Sequence, residues 1–157
     1  MRTLIHWTAA VALASLMLAS SAFAADTKAK SSARSHRVLI QVDQNDPAVM
    51  NLALNNATNV IEYYRSKGED VAVDVVTYGP GLHMLRADTS PVQDRIKQLR
   101  NVAFPSSIQF SACNVTKEGM EKKEGHPIDL ASDAVVVPSG VIHLMELQEE
   151  GWSYIRP

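Results

Sequence analysis

The sequence has 157 residues, of which 46% are hydrophobic, 20% charged and 6% aromatic, and these values suit one ordinary globular domain. The formal net charge is -2, so the charge balance does not favour a nucleic-acid-binding protein. The only cysteine is Cys113, which excludes an intramolecular disulfide and any metal or iron–sulfur site built from several cysteines. The composition also excludes disordered, collagen-like and disulfide-rich classes.

The first 24 residues have the pattern of a secretory signal peptide. Arg2 provides a basic start, residues 9–18 form an almost unbroken apolar run, and Ala22-Phe23-Ala24 fits a cleavage site. The apolar run is shorter than the ~20 residues that a membrane-spanning helix needs, so a membrane anchor is the weaker interpretation. We expect cleavage after Ala24 and a periplasmic or secreted product that has no membrane segment.

The mature chain is expected to consist of a solvated leader over residues 25–36 and one domain over residues 37–157. Within the domain, five apolar runs alternate with helical patterns. Strands are predicted at residues 38–42, 71–78, 108–112, 134–137 and 152–155. The alternation predicts a three-layer α/β/α sandwich around a five-stranded, mainly parallel sheet that helices cover on both faces.

Helical patterns follow each of the first four strands. The first helix is expected to begin after Asp46, a capping residue followed by proline, and to bury a stripe that includes Leu52. The polar helix after the third strand is expected to be capped by Asn114 or Thr116. The inward face of the last helix is predicted to contain Val141, Leu144, Met145 and Leu147 or Gln148.

Cys113 is the residue with the clearest chemical potential. It is expected at the carboxyl end of the third strand, directly before a helix, and functional groups collect at such ends in α/β sheets. The positive end of a helix dipole favours the thiolate form, which makes the sulfur nucleophilic. The alternative interpretation is a buried, unreactive cysteine that acts as a small apolar residue.

Four segments together resemble the DsrE/DsrF-like sulfur-relay family, in particular its exported single-domain members, over nearly all of residues 37–157. The matching segments are Leu-Asn-Asn-Ala-Thr-Asn at 54–59, Val-Thr-Tyr-Gly-Pro-Gly-Leu at 76–82, Phe-Ser-Ala-Cys-Asn-Val-Thr at 110–116, and residues 138–155. The resemblance implies the DsrEFH-like α/β fold and a homotrimer or homohexamer. It also implies that Cys113 holds sulfur as a persulfide and passes it to a partner thiol.

Two groups of residues are predicted to surround this cysteine. Side chains that could tune the thiol are Asn114, Thr116, His83 and His126. Turn residues that could form a binding edge for a small ligand or partner are Gly79, Pro80, Gly81, Pro138, Ser139 and Gly140. We expect no metal site and no cofactor, because the histidines, including His143, have no ligand-like spacing. His143 itself is expected at the surface or in an interface.

Three functional hypotheses follow from these observations. The first is an exported carrier of sulfane sulfur, acting as a sulfurtransferase or a sulfur carrier, whose sulfur-donor and acceptor proteins are left open. The second is a non-catalytic oligomeric module that binds a small ligand or partner. The third is a thiol redox sensor that forms disulfides between molecules.

Overall fold

The structure, a computed structural model, describes residues 36–157. The predicted signal peptide and residues 25–35 of the predicted leader lie outside the described residues. The first strand begins at His36, one residue before the expected domain boundary. The ring of His36 stacks on Tyr64 at 3.7 Å between centroids, and its Nε2 lies 2.7 Å from Glu69 Oε2, so His36 belongs to the folded domain.

Five parallel strands form one sheet in the order β4-β3-β2-β1-β5. The strands are β1 (His36–Val42), β2 (Val71–Thr77), β3 (Ser107–Cys113), β4 (Ala134–Val137) and β5 (Ser153–Ile155). The helices are α1 (Pro47–Ser66), a 3-10 helix (Gly79–Leu85), α2 (Gln93–Val102), α3 (Asn114–Glu124) and α4 (Gly140–Glu149). The predicted α/β sandwich with a five-stranded parallel sheet is therefore confirmed.

The two faces of the sheet are covered unequally, and the handedness of the crossovers explains the difference. The chain steps in one direction from β1 to β4, then returns past β1 to add β5. Right-handed crossovers place helices on opposite faces when the direction of travel reverses. The first face buries Val75 and Phe110 in the main core, and the second face packs Leu39 and Val76 against α4.

The buried stripe of α1 differs from the predicted one. Leu52 is 45% exposed, whereas its neighbours Met50 and Leu54 are fully buried. Met50, Ala53, Leu54, Ala57 and Ile61 recur at three- and four-residue spacing, so the helix is rotated by about one residue relative to the prediction. Within residues 36–157, no helix is both long and apolar enough to cross a membrane.

The predicted inward face of α4 is also partly wrong. Leu144 and Leu147 are buried, but Val141 and Met145 are about half exposed. The reason is that α4, which lies over β1, β2 and β3, has no neighbouring helix from residues 36–157 on its face of the sheet to cover its flanks. Strand β4 lies at the sheet edge, and its valines at 135 and 136 are likewise about half exposed.

Candidate functional site

The strand order creates a crevice beside the last residue of β3. The chain leaves β3 into α3, whose Met120 packs on the main core, and leaves β4 into α4 on the other face. Adjacent parallel strands whose connections leave to opposite faces open a crevice at their carboxyl ends, where ligands commonly bind. Cys113 ends β3 at this point, and it pairs in register with Val137 of β4.

Cys113 is itself the N-cap of α3. The backbone amide of Thr116 donates to Cys113 Sγ at 3.4 Å, a distance suited to sulfur as the acceptor. The sequence prediction of Asn114 or Thr116 as the cap was therefore wrong. Asn114 instead donates from its side-chain amide to Glu118 Oε1 at 2.7 Å, one turn further along the helix.

The surroundings of the Cys113 sulfur stabilise its thiolate form. Burial raises the pKa of the thiol, but hydrogen bonds from the Thr116 hydroxyl and from the amides of Gly140, Thr116 and Val115 outweigh burial. The net result is a thiol pKa below the ordinary cysteine value. The donors come from the first turns of two helices, α3 and α4, so both helix N-termini act on one sulfur atom.

Thr116 connects this sulfur to the turn after β2. Its Oγ1 accepts a hydrogen bond from the backbone amide of Gly79 at 2.9 Å. The Gly79 amide uses an acceptor position of the Thr116 hydroxyl, so the hydroxyl proton is available to the Cys113 sulfur. Thr116 thereby links the start of the 3-10 helix to the thiol.

The residues of the predicted binding edge have different positions. Gly140 lies directly against the thiol residue, because a Cβ placed on it would be 3.2 Å from Cys113 Cβ and 2.9 Å from Tyr78 Cβ. Gly79 approaches the site through Thr116, and Ser139 is the N-cap of α4 without a side-chain capping bond.

The other three residues of the predicted edge shape the turns. Gly81 is buried against the end of β1, where a Cβ would be 2.1 Å from Val42 O. Pro80 occupies the first turn of the 3-10 helix, and Pro138 is exposed between β4 and α4.

Neither histidine that was predicted to tune the thiol is bonded to it. His83 Nδ1 lies 2.8 Å from Thr89 Oγ1, and His126 Nδ1 lies 2.8 Å from the carbonyl oxygen of Pro127. The hydroxyl and backbone donors around Cys113 take the role that was considered for these imidazoles. Among residues 36–157, no group of three or more histidine, cysteine, aspartate or glutamate side chains is arranged to hold a metal ion.

A polar cluster on the α4 face of the sheet, the Asp74 cluster, is formed by Asp74, Gln109, Ser111 and His143. Asp74 and Ser111 are buried, whereas Gln109 is exposed. Ser111 Oγ donates to Asp74 Oδ1 at 2.7 Å, and Gln109 Nε2 donates to Asp74 Oδ2 at 3.1 Å. His143 Nε2 lies 2.9 Å from the same Oδ2. His143 is therefore partly buried, with a side chain 19% exposed, so the prediction of a surface histidine was wrong. Its alternative, a position in an interface, stays a prediction.

Burial raises the pKa of Asp74 above its ordinary value, while the hydrogen bonds from His143, Ser111 and Gln109 act in the opposite direction. The sequence offered one indication of this cluster. Asp74 interrupts the apolar run of β2, and a charged residue inside a buried strand requires polar partners. Its partners come from positions 35 to 69 residues away, so the sequence pattern could not identify them.

Fold and site together define a parallel α/β sandwich protein with a single thiol at a sheet crevice. No protein-family model matches the sequence, and no curated protein does. Among solved structures, the chain is similar to the "Protein of Unknown Function MTH1491 from Methanobacterium thermoautotrophicum", with 31% sequence identity and a TM-score of 0.65. The match covers 78% of this chain and 100% of the other. The chain therefore belongs to the same family as MTH1491.

Proposed function

We propose that this protein is an exported sulfur carrier of the DsrE-like type, which holds sulfane sulfur as a persulfide on Cys113. The observation that carries the proposal is the thiol at the N-termini of α3 and α4, with a pKa below the ordinary value. A lowered thiol pKa raises the thiolate fraction at neutral pH, and the thiolate is the nucleophile in sulfur chemistry.

The loading step is a displacement at sulfur. The Cys113 thiolate attacks the terminal sulfur of a hydropolysulfide, HS–Sn⁻, and forms a new S–S bond. The bond between that sulfur and the rest of the chain breaks, and the shortened polysulfide leaves as Sn²⁻ with the bonding electron pair. The proton stays on the transferred sulfur, so no external oxidant or reductant is needed.

The burial of Cys113 favours a small donor. The residue is 4% exposed, which suits an inorganic polysulfide better than the surface of a folded donor protein. Once loaded, the outer sulfur extends about 2 Å beyond Sγ. An acceptor thiolate then attacks that outer sulfur, and Cys113 leaves as the thiolate that the surrounding amides stabilise.

Intact-mass measurement tests this proposal directly. Protein purified without reductant is weighed before and after exposure to polysulfide, with the Cys113→Ser variant alongside. We expect the mass to rise by whole sulfur atoms, the gain to disappear with reductant, and the variant to gain nothing. A protein that takes up no sulfur, although Cys113 reacts with an alkylating agent in denaturant, would show that this thiol is not a carrier.

The burial of Cys113 also favours a second candidate, a non-catalytic binding module. In that case native protein would alkylate slowly, and Cys113→Ser would leave partner binding unchanged. The redox-sensor hypothesis receives less support, because a disulfide between two molecules needs both sulfur atoms at a surface. Non-reducing gel electrophoresis tests it, since dimers that vanish in Cys113→Ser would favour the sensor.

Self-association remains part of the proposal. Three apolar side chains are each about half exposed: Val136 on the edge strand β4, and Ile142 and Met145 on α4. A second copy of the chain would bury such side chains. Light scattering of the wild-type protein and of Ile142→Glu tests this surface. We expect a trimer or hexamer that the substitution dissociates, whereas Leu52→Glu on α1 leaves the mass unchanged.

A further inference from the structure

The Asp74 cluster lies directly behind the thiol on the same face of β3. Side chains alternate along a strand, so Ser111 and Cys113 point to one face, the face that α4 covers. Ser111 donates to Asp74, and Asp74 is bonded to His143 in the first turns of α4. The cluster thus connects β2, β3 and α4, and its member Ser111 lies two residues before Cys113 on β3.

Apolar side chains hold α4 from Leu144 onward but provide little in the first turn. Leu144 and Leu147 are the buried apolar residues of this helix. Val141 and Ile142, which precede His143, are 48% and 49% exposed. In the first turn, the inward side-chain contact is therefore the polar one between His143 and Asp74 at 2.9 Å.

The exact position of this helix start matters for the thiol. Gly140 is the first residue of α4 and lies against Cys113, since a Cβ placed on it would be 3.2 Å from Cys113 Cβ. At this position its backbone amide lowers the pKa of the thiol. The close approach of Gly140 to Tyr78 and Cys113 leaves no room for a side chain. A small displacement of the first turn would move this amide away from the sulfur, because hydrogen bonds weaken steeply with distance and angle.

We propose that His143, held by Asp74, is a positioning residue that fixes the first turn of α4 and keeps the Gly140 amide on the Cys113 sulfur. The biological meaning of this inference rests on the proposed sulfur-carrier function. Its physical content concerns the thiol alone. The groups bonded to Asp74 come from β3 and α4, and among them Gln109 and Ser111 are uncharged, so His143 is the titratable one.

The test compares two amide substitutions of different length. In His143→Gln, the amide nitrogen reaches about as far as the imidazole Nε2 and can still donate to Asp74. In His143→Asn, the side chain is one methylene shorter and cannot reach the carboxylate. Both variants are uncharged and polar, so their difference isolates the contact rather than the charge.

The measured quantity is the rate of Cys113 alkylation by iodoacetamide as a function of pH. This rate reports the pKa of the Cys113 thiol, because the chain has no other cysteine. We expect His143→Asn to reduce the rate at pH values below the thiol pKa by roughly threefold to tenfold, the equivalent of one hydrogen bond. We expect His143→Gln to stay within about twofold of the wild-type protein.

Leu147→Ala is the control for general loosening of α4, because it removes buried packing at the far end of the helix. We expect it to lower the urea midpoint and leave the thiol pKa in place. The inference is overturned if His143→Asn keeps the wild-type pKa while folded, or if Leu147→Ala shifts the pKa equally. Sulfur uptake by wild-type protein is measured separately by mass, so failure of the carrier function is distinguished from failure of the positioning role.

Discussion

The backbone amide of Thr116 donates to Cys113 Sγ, so the residue that ends β3 also caps α3. A capping side chain is normally an oxygen acceptor such as serine or aspartate. Sulfur is a weaker acceptor when protonated and a much better one when ionised. Capping and ionisation therefore support each other at Cys113.

Replacement of Thr116 by valine removes the hydroxyl while keeping the shape of the side chain. We expect the thiol pKa to rise by roughly half to one unit, because one hydrogen bond to the thiolate is lost. The Gly79 amide also loses its acceptor, so stability falls by about 1–2 kcal/mol. Thiolate absorbance measured against pH, with Cys113→Ser as the blank, gives the pKa. Thr116→Ser retains the hydroxyl and should resemble the wild-type protein. Equal thiol pKa values in the wild-type, Thr116→Val and Thr116→Ser proteins would contradict the role of the hydroxyl.

Replacement of Gly140 by alanine tests the close approach of α4 to the thiol. The new Cβ would lie 2.9 Å from Tyr78 Cβ and 3.2 Å from Cys113 Cβ, so the helix start must shift. We expect a loss of about 1–3 kcal/mol in the free energy of unfolding, measured in urea, and a higher thiol pKa. Gly119→Ala in α3 is the matched control, because nothing lies within 4 Å of its added Cβ. The control should gain up to about 1 kcal/mol from helix propensity. Equal stabilities for the two variants would count against the tight contact.

Two glycines of the 3-10 helix are required for different physical reasons. At Gly81, an added Cβ would be 2.1 Å from Val42 O, so alanine there should cost about 3 kcal/mol or more. At Gly79, an added Cβ would make only an ordinary contact, 4.0 Å from Asp43 O, but the φ of +51° is strained for a side chain, so alanine there should cost about 1–2 kcal/mol. Urea unfolding of both variants checks the order, and a larger loss at Gly79 would contradict it.

The acid stability of the domain should depend on Arg86. Its side chain is 3% exposed and donates to Asp88 Oδ2 at 2.6 Å and to Glu124 Oε1 at 2.7 Å. The hydrogen bond from Arg86 lowers the pKa of Asp88 from 3.8 to about 2. Because the folded-state pKa is the lower one, this contribution to stability is complete above about pH 4 and is lost as the pH falls through about 2.

Asp88→Asn should remove that part of the pH dependence. The stability difference between wild-type and variant protein, measured by urea unfolding from pH 5 to pH 2, is expected to shrink as the pH falls. The carboxylate is 52% exposed, so the difference should also decrease in high salt. A difference that stays constant from pH 5 to pH 2 would show that the ion pair does not act through protonation of Asp88.

Local patterns were enough to predict the order of strands and helices. Three features show this: the proline after Asp46, the β-branched run of β2, and the position of Cys113 between a strand and a helix. Each can be recognised from residues within one helical turn or one strand. The parallel sheet followed, because alternating strands and helices have few other ways to bury their apolar faces.

The surroundings of the thiol depended on contacts between distant segments. Gly140 reaches Cys113 because β4 pairs beside β3 and its helix crosses to the opposite face of the sheet. His143 meets Asp74 across 69 residues of sequence for the same reason. Sequence periodicity shows which face of a helix or strand a residue lies on. The pairing order of the strands decides which other segments come into contact with that face. The thiol and its neighbour Thr116 were therefore visible in the sequence, whereas the contribution of the Gly140 amide and the contact between His143 and Asp74 were not.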